Sequence, residues 1–253
     1  MVYAADPAPT GCAPLSLISH GAGGAETEYH YLANFMASQG YTAIVMGHVE
    51  SGLQALVSDW KTSGFPAGVK ALVADPTAEK MRLLDIAAAL KWADAQCHAT
   101  FRVLLGHSMG AETVMLEAGA TNIIGLSDPP ARQDRFNAYV ALSPEGPGIV
   151  FGDHAWTGIR KPMLILTGTR DQAFNGSPET RQIPFRELPG IAAHCQWLGV
   201  IENATHMNFA GAGLDAERVK PQITGTIAAF LRGVRSASCI LPAQAAGLQL
   251  NAK

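Results

Sequence analysis

Long apolar runs are missing from this chain. None approaches the ~20 residues that a membrane-spanning helix needs, and the opening "MVYAADPAPTGCAPL" lacks the basic segment followed by an apolar one that directs secretion. The chain as given therefore reads as soluble. Val2-Tyr3 looks like the tail of a strand whose beginning would precede it, as in a mature or trimmed form. Charge is scarce too: 15% of residues are charged, against ~25% in an average globular protein. The 18 Lys and Arg are scattered among 21 Asp and Glu, for a net charge of −3. That distribution suits neither a nucleic-acid backbone nor an anionic membrane surface, and points to a small neutral substrate. Cysteine is limited to Cys12, Cys97, Cys195 and Cys239, with no C-x-x-C spacing and no histidine at zinc-ligand distance. No metal and no cofactor are expected, which leaves disulfides, in any of three pairings, or buried thiols.

What the chain has instead is apolar residues, 48% of the total, over 253 positions. That length can bury a large core, and one domain spanning 1–253 is expected, with no internal repeat. Short apolar runs alternate with longer helical patterns, the mark of β-α-β units around a mostly parallel sheet covered on both faces. Strands are expected at Leu15–Ser19, Tyr41–Met46, Phe101–Leu105, Ala138–Leu142, Met163–Thr167 and Gln196–Ile201. The clearest helix follows Asp75-Pro76-Thr77, with Thr77 as its cap and an apolar stripe at 83, 86, 87, 90, 93 and 97. Others are expected over Glu28–Ser38, Met109–Gly119 and Glu217–Leu231, the last weakened by Pro221 and Gly225. About twenty residues separate Leu142 from Met163, too few for a large lid domain, so the site should be open. The long segment Gly47–Ala74, with Trp60 and Phe65, either overhangs the site or packs as a short extra helix.

The chemistry centres on "LLGHSMGAE". Gly106-His107-Ser108-Met109-Gly110 follows an apolar strand and opens a helical pattern, the strand-turn-helix setting in which a serine can be held exposed on a strained turn. Gly106 and Gly110 stand where a Cβ would collide in so tight a turn. A serine hydroxyl also needs a base, an orienter for that base and donors for the developing oxyanion. The glycine-rich "ISHGAGG", after the first strand, offers a main-chain N–H from Ala22, or failing that Gly23, to join the N–H of Met109. His20 is assigned a structural role there. Asp171 in "GTRDQAF" is the expected acid, with Glu145 and Asp153 as rivals. His206 in "ENATHMNF" is the expected base, since among histidines after Asp171 it alone lies on a loop leaving a strand, His194 preceding that strand.

In the order "SHGAGG", "GHSMG", "GTRD", "ATHMNF", the chain resembles an α/β-hydrolase, more narrowly the bacterial dienelactone-hydrolase-like esterases related to secreted platelet-activating-factor acetylhydrolases, and more distantly cutinase-like polyesterases. The resemblance covers about 14–233 and leaves 234–253 as a C-terminal tail. It implies an eight-stranded, mostly parallel sheet, Ser108 as nucleophile, His206 as base, Asp171 as acid and oxyanion donors at Ala22 and Met109. Two departures stand out. The first strands of the usual sheet would need residues before Val2, so either the sheet is shortened or the chain is trimmed; and strict dienelactone hydrolases use cysteine where this chain has Ser108. With the implied strand order, Cys12 and Cys97 become neighbours and Cys195–Cys239 ties the tail to the last strand. Both bonds would mean an oxidising compartment, secreted or periplasmic, with a cytoplasmic location the alternative.

The implied reaction is hydrolysis of a small or medium apolar or aryl ester through an acyl-enzyme, with Trp156, Pro147 and Met207, and further Phe209, as pocket walls. An acyltransferase or amide hydrolase with the same triad is the alternative, and a non-catalytic hydrolase-fold binding protein a remoter one. The substrate's identity and the oligomeric state are not set by the sequence.

Overall fold

The computed structural model describes residues 1–172, 176–191 and 194–253. Eight strands make one sheet in the order β1-β3-β2-β4-β5-β6-β7-β8. The six central ones are β3 (Thr42–Val45), β2 (Leu15–Ser19), β4 (Arg102–His107), β5 (Ala138–Leu142), β6 (Met163–Arg170) and β7 (Gln196–Thr205), and they run parallel. All six fall where the apolar runs lie. Their side chains alternate between two cores: Leu104, Tyr139 and Ile165 pack on one face, Leu105, Val140 and Leu166 on the other. Burial on both faces is why these strands read as continuous apolar runs with no polar alternation.

One edge matches the sequence reading and the other does not. Val2–Tyr3 is a two-residue strand, β1, antiparallel to β3. At the opposite edge the expected tail returns as β8 (Leu248–Ala252), antiparallel to β7. The sheet thus reaches eight strands by adding one at its C-terminal end. "LQLNA" does alternate, with Leu248 and Leu250 buried and Gln249 and Asn251 exposed, but five residues after a turn-rich stretch make a weak signal.

One face is covered by α3 (Phe65–Val73), α4 (Pro76–Gln96) and α5 (Met109–Ala118), the other by α1 (His30–Ser38) and α8 (Ala216–Arg235). The stripe on α4 is buried at Leu83, Ile86, Leu90 and Ala93. Its cap is Asp75, not Thr77: the Asp75 carboxylate accepts from the Thr77 N–H at 2.8 Å, which leaves Pro76 at the first helical position, where no N–H is needed. α8 runs through Pro221 and Gly225 for 20 residues because Val219, Ile223, Ile227, Phe230 and Leu231 bury one face, and tertiary packing outweighs their poor propensity.

The segment 47–74 forms two helices, α2 (Leu53–Ser63) and α3, folded back on each other where Gly68 meets the backbone of Asp59 and Trp60. No helix lies between β5 and β6. α6 (Ile183–Glu187) and α7 (His206–Phe209) are short helices flanking β7. Among the described residues no helix is long and apolar enough to cross a membrane.

Disulfides join Cys12 to Cys97 and Cys195 to Cys239, bridging 85 and 44 positions of chain. Loops that long restrict the unfolded chain enough for each bond to contribute about 2–4 kcal/mol. Replacing Cys12 and Cys97 together by serine is expected to lower the melting temperature by roughly 5–10 °C, read by calorimetry under non-reducing conditions. An unchanged melting temperature would show that this bond does not brace the fold.

Candidate functional site

Ser108 sits between the last residue of β4 and the first of α5 with φ 54° and ψ −126°. A non-glycine residue there carries strain of about 1–3 kcal/mol and stays only where its surroundings hold it. They do so on both sides. A Cβ on Gly106 would strike the Gly110 carbonyl, and one on Gly110 would strike the Ser19 carbonyl at the end of β2. The Ser108 N–H donates to the Leu142 carbonyl at 3.1 Å, and its carbonyl accepts from the N–H groups of Ala111 and Glu112.

His206 opens α7, whose Thr205 cap and Asn208 exchange reciprocal hydrogen bonds and so fix the turn. Its Nε2 lies 3.0 Å from Ser108 Oγ, and its Nδ1 3.1 Å from Asp171 Oδ1. Ser143, directly after β5 and at φ 50°, completes this group: its hydroxyl is 2.6 Å from His206 Nδ1 and donates to Asp171 Oδ1 at 2.8 Å. That arrangement sets the tautomer. With its proton given to Asp171, Ser143 can only accept from Nδ1, so Nδ1 carries the hydrogen and Nε2 presents a lone pair to the Ser108 hydroxyl.

Asp171 follows β6 and is fully buried. Burial pushes its carboxyl pKa up, but the hydrogen bond from His206, the Arg181 guanidinium, the His206 charge and the Ser143 hydroxyl outweigh it and hold the group below the usual carboxylate range. Arg181, itself fully buried, approaches Asp171 Oδ1 to 2.9 Å and donates to the backbone carbonyls of Asp171, Ser143 and Pro144. Thr167 supplies one more donor, to Oδ2. Of the rivals, Glu145 is buried and faces the charges of Arg181 and Lys70, and Asp153 is exposed. Ser143 and Arg181 escape sequence reasoning. Ser143 does stand at a strand's C-terminal end in "ALSPEG", but Arg181 comes from a single 3₁₀ turn, Thr180–Gln182, with no motif around it.

In the Ser19–Gly24 loop, the Gly23 N–H is spent on the Ser51 carbonyl at 2.8 Å, which removes the second choice of donor. The Gly21 carbonyl accepts from His20 Nδ1 at 2.7 Å and from the Gly24 N–H at 3.1 Å, so the Gly21–Ala22 peptide is held with its Ala22 N–H directed away from those partners. Among the described residues neither the Ala22 nor the Met109 N–H has a hydrogen-bond partner. His20 Nε2 accepts from the His48 N–H, and burial, then the charges of Arg82 and His48, lower its pKa to about 3, so it stays neutral.

Behind this loop lies a second Ser-His-Asp arrangement. His48 Nε2 is 3.0 Å from Ser19 Oγ, and its Nδ1 2.8 Å from Asp85 Oδ2. Ser19 is fully buried and also takes a hydrogen bond from Arg82, which donates further to Ser51, Thr113 and the His20 carbonyl. No substrate reaches that serine.

The cleft above Ser108 measures about 280 Å³. Gly21 to Gly24, Tyr29, His107, Ser108 and His206 line its base, Leu56, Phe65 and Val69 from the α2–α3 pair one side, and Met207 and Ala210 the other. The segment 47–74 therefore both forms extra helices and overhangs the site. Met207 is 51% exposed there. Trp156 and Pro147, expected on the wall, do not line this cleft. Trp156 is fully buried in the core, its indole N–H on Met115 Sδ and its ring 5.0 Å from Phe151; Pro147 sits in the turn after β5. Phe209 is fully buried in the other core. Among the described residues no group of three or more His, Cys, Asp or Glu could hold a metal ion.

No protein-family model matches the chain, and no curated protein matches it. Its fold is similar to that of Est1E from Butyrivibrio proteoclasticus, with a TM-score of 0.56 and 18% identity over 91% of this chain and 93% of that one. The architecture is that of an α/β-hydrolase.

One buried acid near Ser108 is left without partners. Glu112, in the first turn of α5, is fully buried, and among the described residues neither of its carboxyl oxygens is hydrogen-bonded. Burial, then the Glu145 and Glu79 carboxyls, raise its pKa well above the usual range and favour the protonated form. The unfolded chain releases that proton above about pH 4.5 while the folded one keeps it, so stability falls as pH rises from there. Glu112→Gln is expected to raise the melting temperature more at pH 8 than at pH 4.5. A gain independent of pH would show that Glu112 does not titrate between the two states.

Proposed function

We propose that the protein is a serine hydrolase of carboxylic esters, with Ser108 as nucleophile, His206 as general base and Asp171 as its orienter. The observation that carries this reading is the hydrogen-bonded run Ser108–His206–Asp171 opening into the cleft, in the tautomer the chemistry requires. His206 Nε2 takes the Ser108 proton as Oγ attacks the ester carbonyl. The Ala22 and Met109 N–H groups receive the oxyanion, and their lack of another partner among the described residues supports that role. His206 then protonates the departing alcohol. Water repeats the attack on the acyl-enzyme, with His206 again as base, and releases the acid. Asp171, kept ionised by its donors, holds the ring and stabilises the imidazolium formed at each step.

The likeness to Est1E, an esterase with the same fold, is consistent with this chemistry. Walls of Leu56, Phe65, Val69, Met207 and Ala210 favour a small or medium apolar or aryl ester. Two disulfides fit an oxidising compartment, secreted or periplasmic.

Hydrolysis of p-nitrophenyl acetate, butyrate and longer esters tests the reading. Ser108→Ala is expected to cut kcat by about 10³-fold or more, and Asp171→Asn by about 10⁴-fold, while Glu145→Gln stays within a few-fold of wild type. A wild-type rate no greater than that of Ser108→Ala would sink the esterase. A rate that climbs with added alcohol or amine would assign the acyl group to another acceptor.

A further inference from the structure

We propose that Tyr29 and His107 are positioning residues: a hydrogen-bonded strut from the Gly21 N–H through Tyr29 and His107 to the His206 carbonyl that keeps the oxyanion loop and the base in register. The kinetic consequence rests on the hydrolase reading above; the strut itself rests on geometry.

The direction of every bond in the strut follows from its last acceptor. A carbonyl oxygen cannot donate, so His107 Nε2, 3.1 Å from the His206 carbonyl, must carry a hydrogen. Burial, then the charge on His206, hold the His107 imidazolium well below the usual histidine range, with Arg181 a smaller contribution in the same direction. The ring is thus neutral with one hydrogen, and Nδ1 is left as an acceptor. Its partner at 2.8 Å is the Tyr29 hydroxyl, which must therefore donate. The Tyr29 oxygen in turn accepts from the Gly21 N–H at 3.2 Å. All three contacts are satisfied by a single assignment of hydrogens.

The placement argues for more than packing. Tyr29 precedes α1 in a left-handed conformation, φ 57°, with its side chain buried against the turn at Ser108. His107 occupies the first variable position of the G-x-S-x-G turn, directly before Ser108, and its ring lies 4.7 Å from that of His206. Gly21 directly precedes Ala22, the proposed oxyanion donor, and a Cβ on Gly21 would lie 3.3 Å from Ser108 Cβ. A shift of Gly21 therefore alters both the donor's aim and the room beside the nucleophile. The strut ties together three segments far apart in sequence, the loop after β2, the last residue of β4 and the turn after β7, whose mutual spacing sets the transition-state geometry.

Two measurements test this. Nitrogen-15 NMR of histidine-labelled wild type at pH 7, with the His107 signals assigned by their absence in His107→Gln, is expected to show a neutral Nε2–H ring whose Nδ1 accepts a hydrogen bond. In Tyr29→Phe the Nδ1 signal should move toward that of a free acceptor. An Nδ1–H tautomer or an imidazolium would overturn the strut. In ester hydrolysis, Tyr29→Phe is expected to lower kcat by about 10- to 100-fold, as for a misaimed oxyanion donor, with KM within about twofold of wild type and the melting temperature lowered by only about 5 °C. An unchanged kcat, or a loss carried by KM, would overturn the positioning role. Absence of any Ser108-dependent turnover in wild type would instead defeat the hydrolase reading, and the strut would then stand or fall on the NMR result.

Discussion

Backbone meets backbone where the turn at Ser108 passes the end of β2, and the site is organised around that contact. β2 and β4 are parallel neighbours, so the loops leaving their C-terminal ends emerge side by side. Only glycine at 110 lets α5 start against the Ser19 carbonyl, and only glycine at 106 lets the chain fold back over Gly110. With those gaps closed, the loop after β2 and Ser108 share one wall. The remaining groups need only hang from β5, β6 and β7, which continue the sheet in order, and Ser143, Asp171 and His206 do so. The strained φ of Ser108 is held by this packing: its N–H and carbonyl are both engaged, which leaves the hydroxyl free to point into the cleft.

How much could be read from the chain alone follows from the same geometry. Parallel strands buried on both faces write themselves as short apolar runs, so all six central strands and the residues just beyond them are legible. Ser108, Asp171 and His206 stand at such ends, and so they are legible too. Ser143 stands at one as well, but a serine after a strand is common and nothing in "ALSPEG" marks it. Arg181 is a different case. Its position under Asp171 depends on where the turn at Thr180–Gln182 packs, and no periodicity carries that information. Trp156 misleads because a large aromatic after β5 suits a pocket wall and a core equally, and the indole found Met115 and Phe151 instead. β8 was hidden by its brevity, although its alternation is the pattern expected of an edge strand with one covered face.

Charge is rare in this protein, yet two of its arginines are buried beside the site. Arg82 and Arg181 are both fully buried, one behind the loop after β2 and one beneath Asp171. Each spends its donors on backbone carbonyls or hydroxyls as well as facing acids, so neither charge is left bare. Breaking one partner of such a cluster costs far more than the net value of the pair, because an unmatched charge remains in a dry interior. The two arginines thus act less as a source of stability than as a constraint on where the loops can sit.

The buried Ser19–His48–Asp85 arrangement makes a wider point about what confers chemistry. By distance alone it matches the arrangement at Ser108. Two differences separate them. Ser19 is sealed from solvent, and its oxygen already accepts a hydrogen bond from Arg82, which lowers the electron density a nucleophile needs. Ser108 is half-buried, faces a cleft, and is followed by a residue whose N–H has no hydrogen-bond partner among the described residues. Three side chains in order are therefore a means of fixing a proton's position in either place. Under the proposed function, reactivity is added by access, by the turn that lifts the serine out of the sheet, and by N–H donors placed where charge would form beside it.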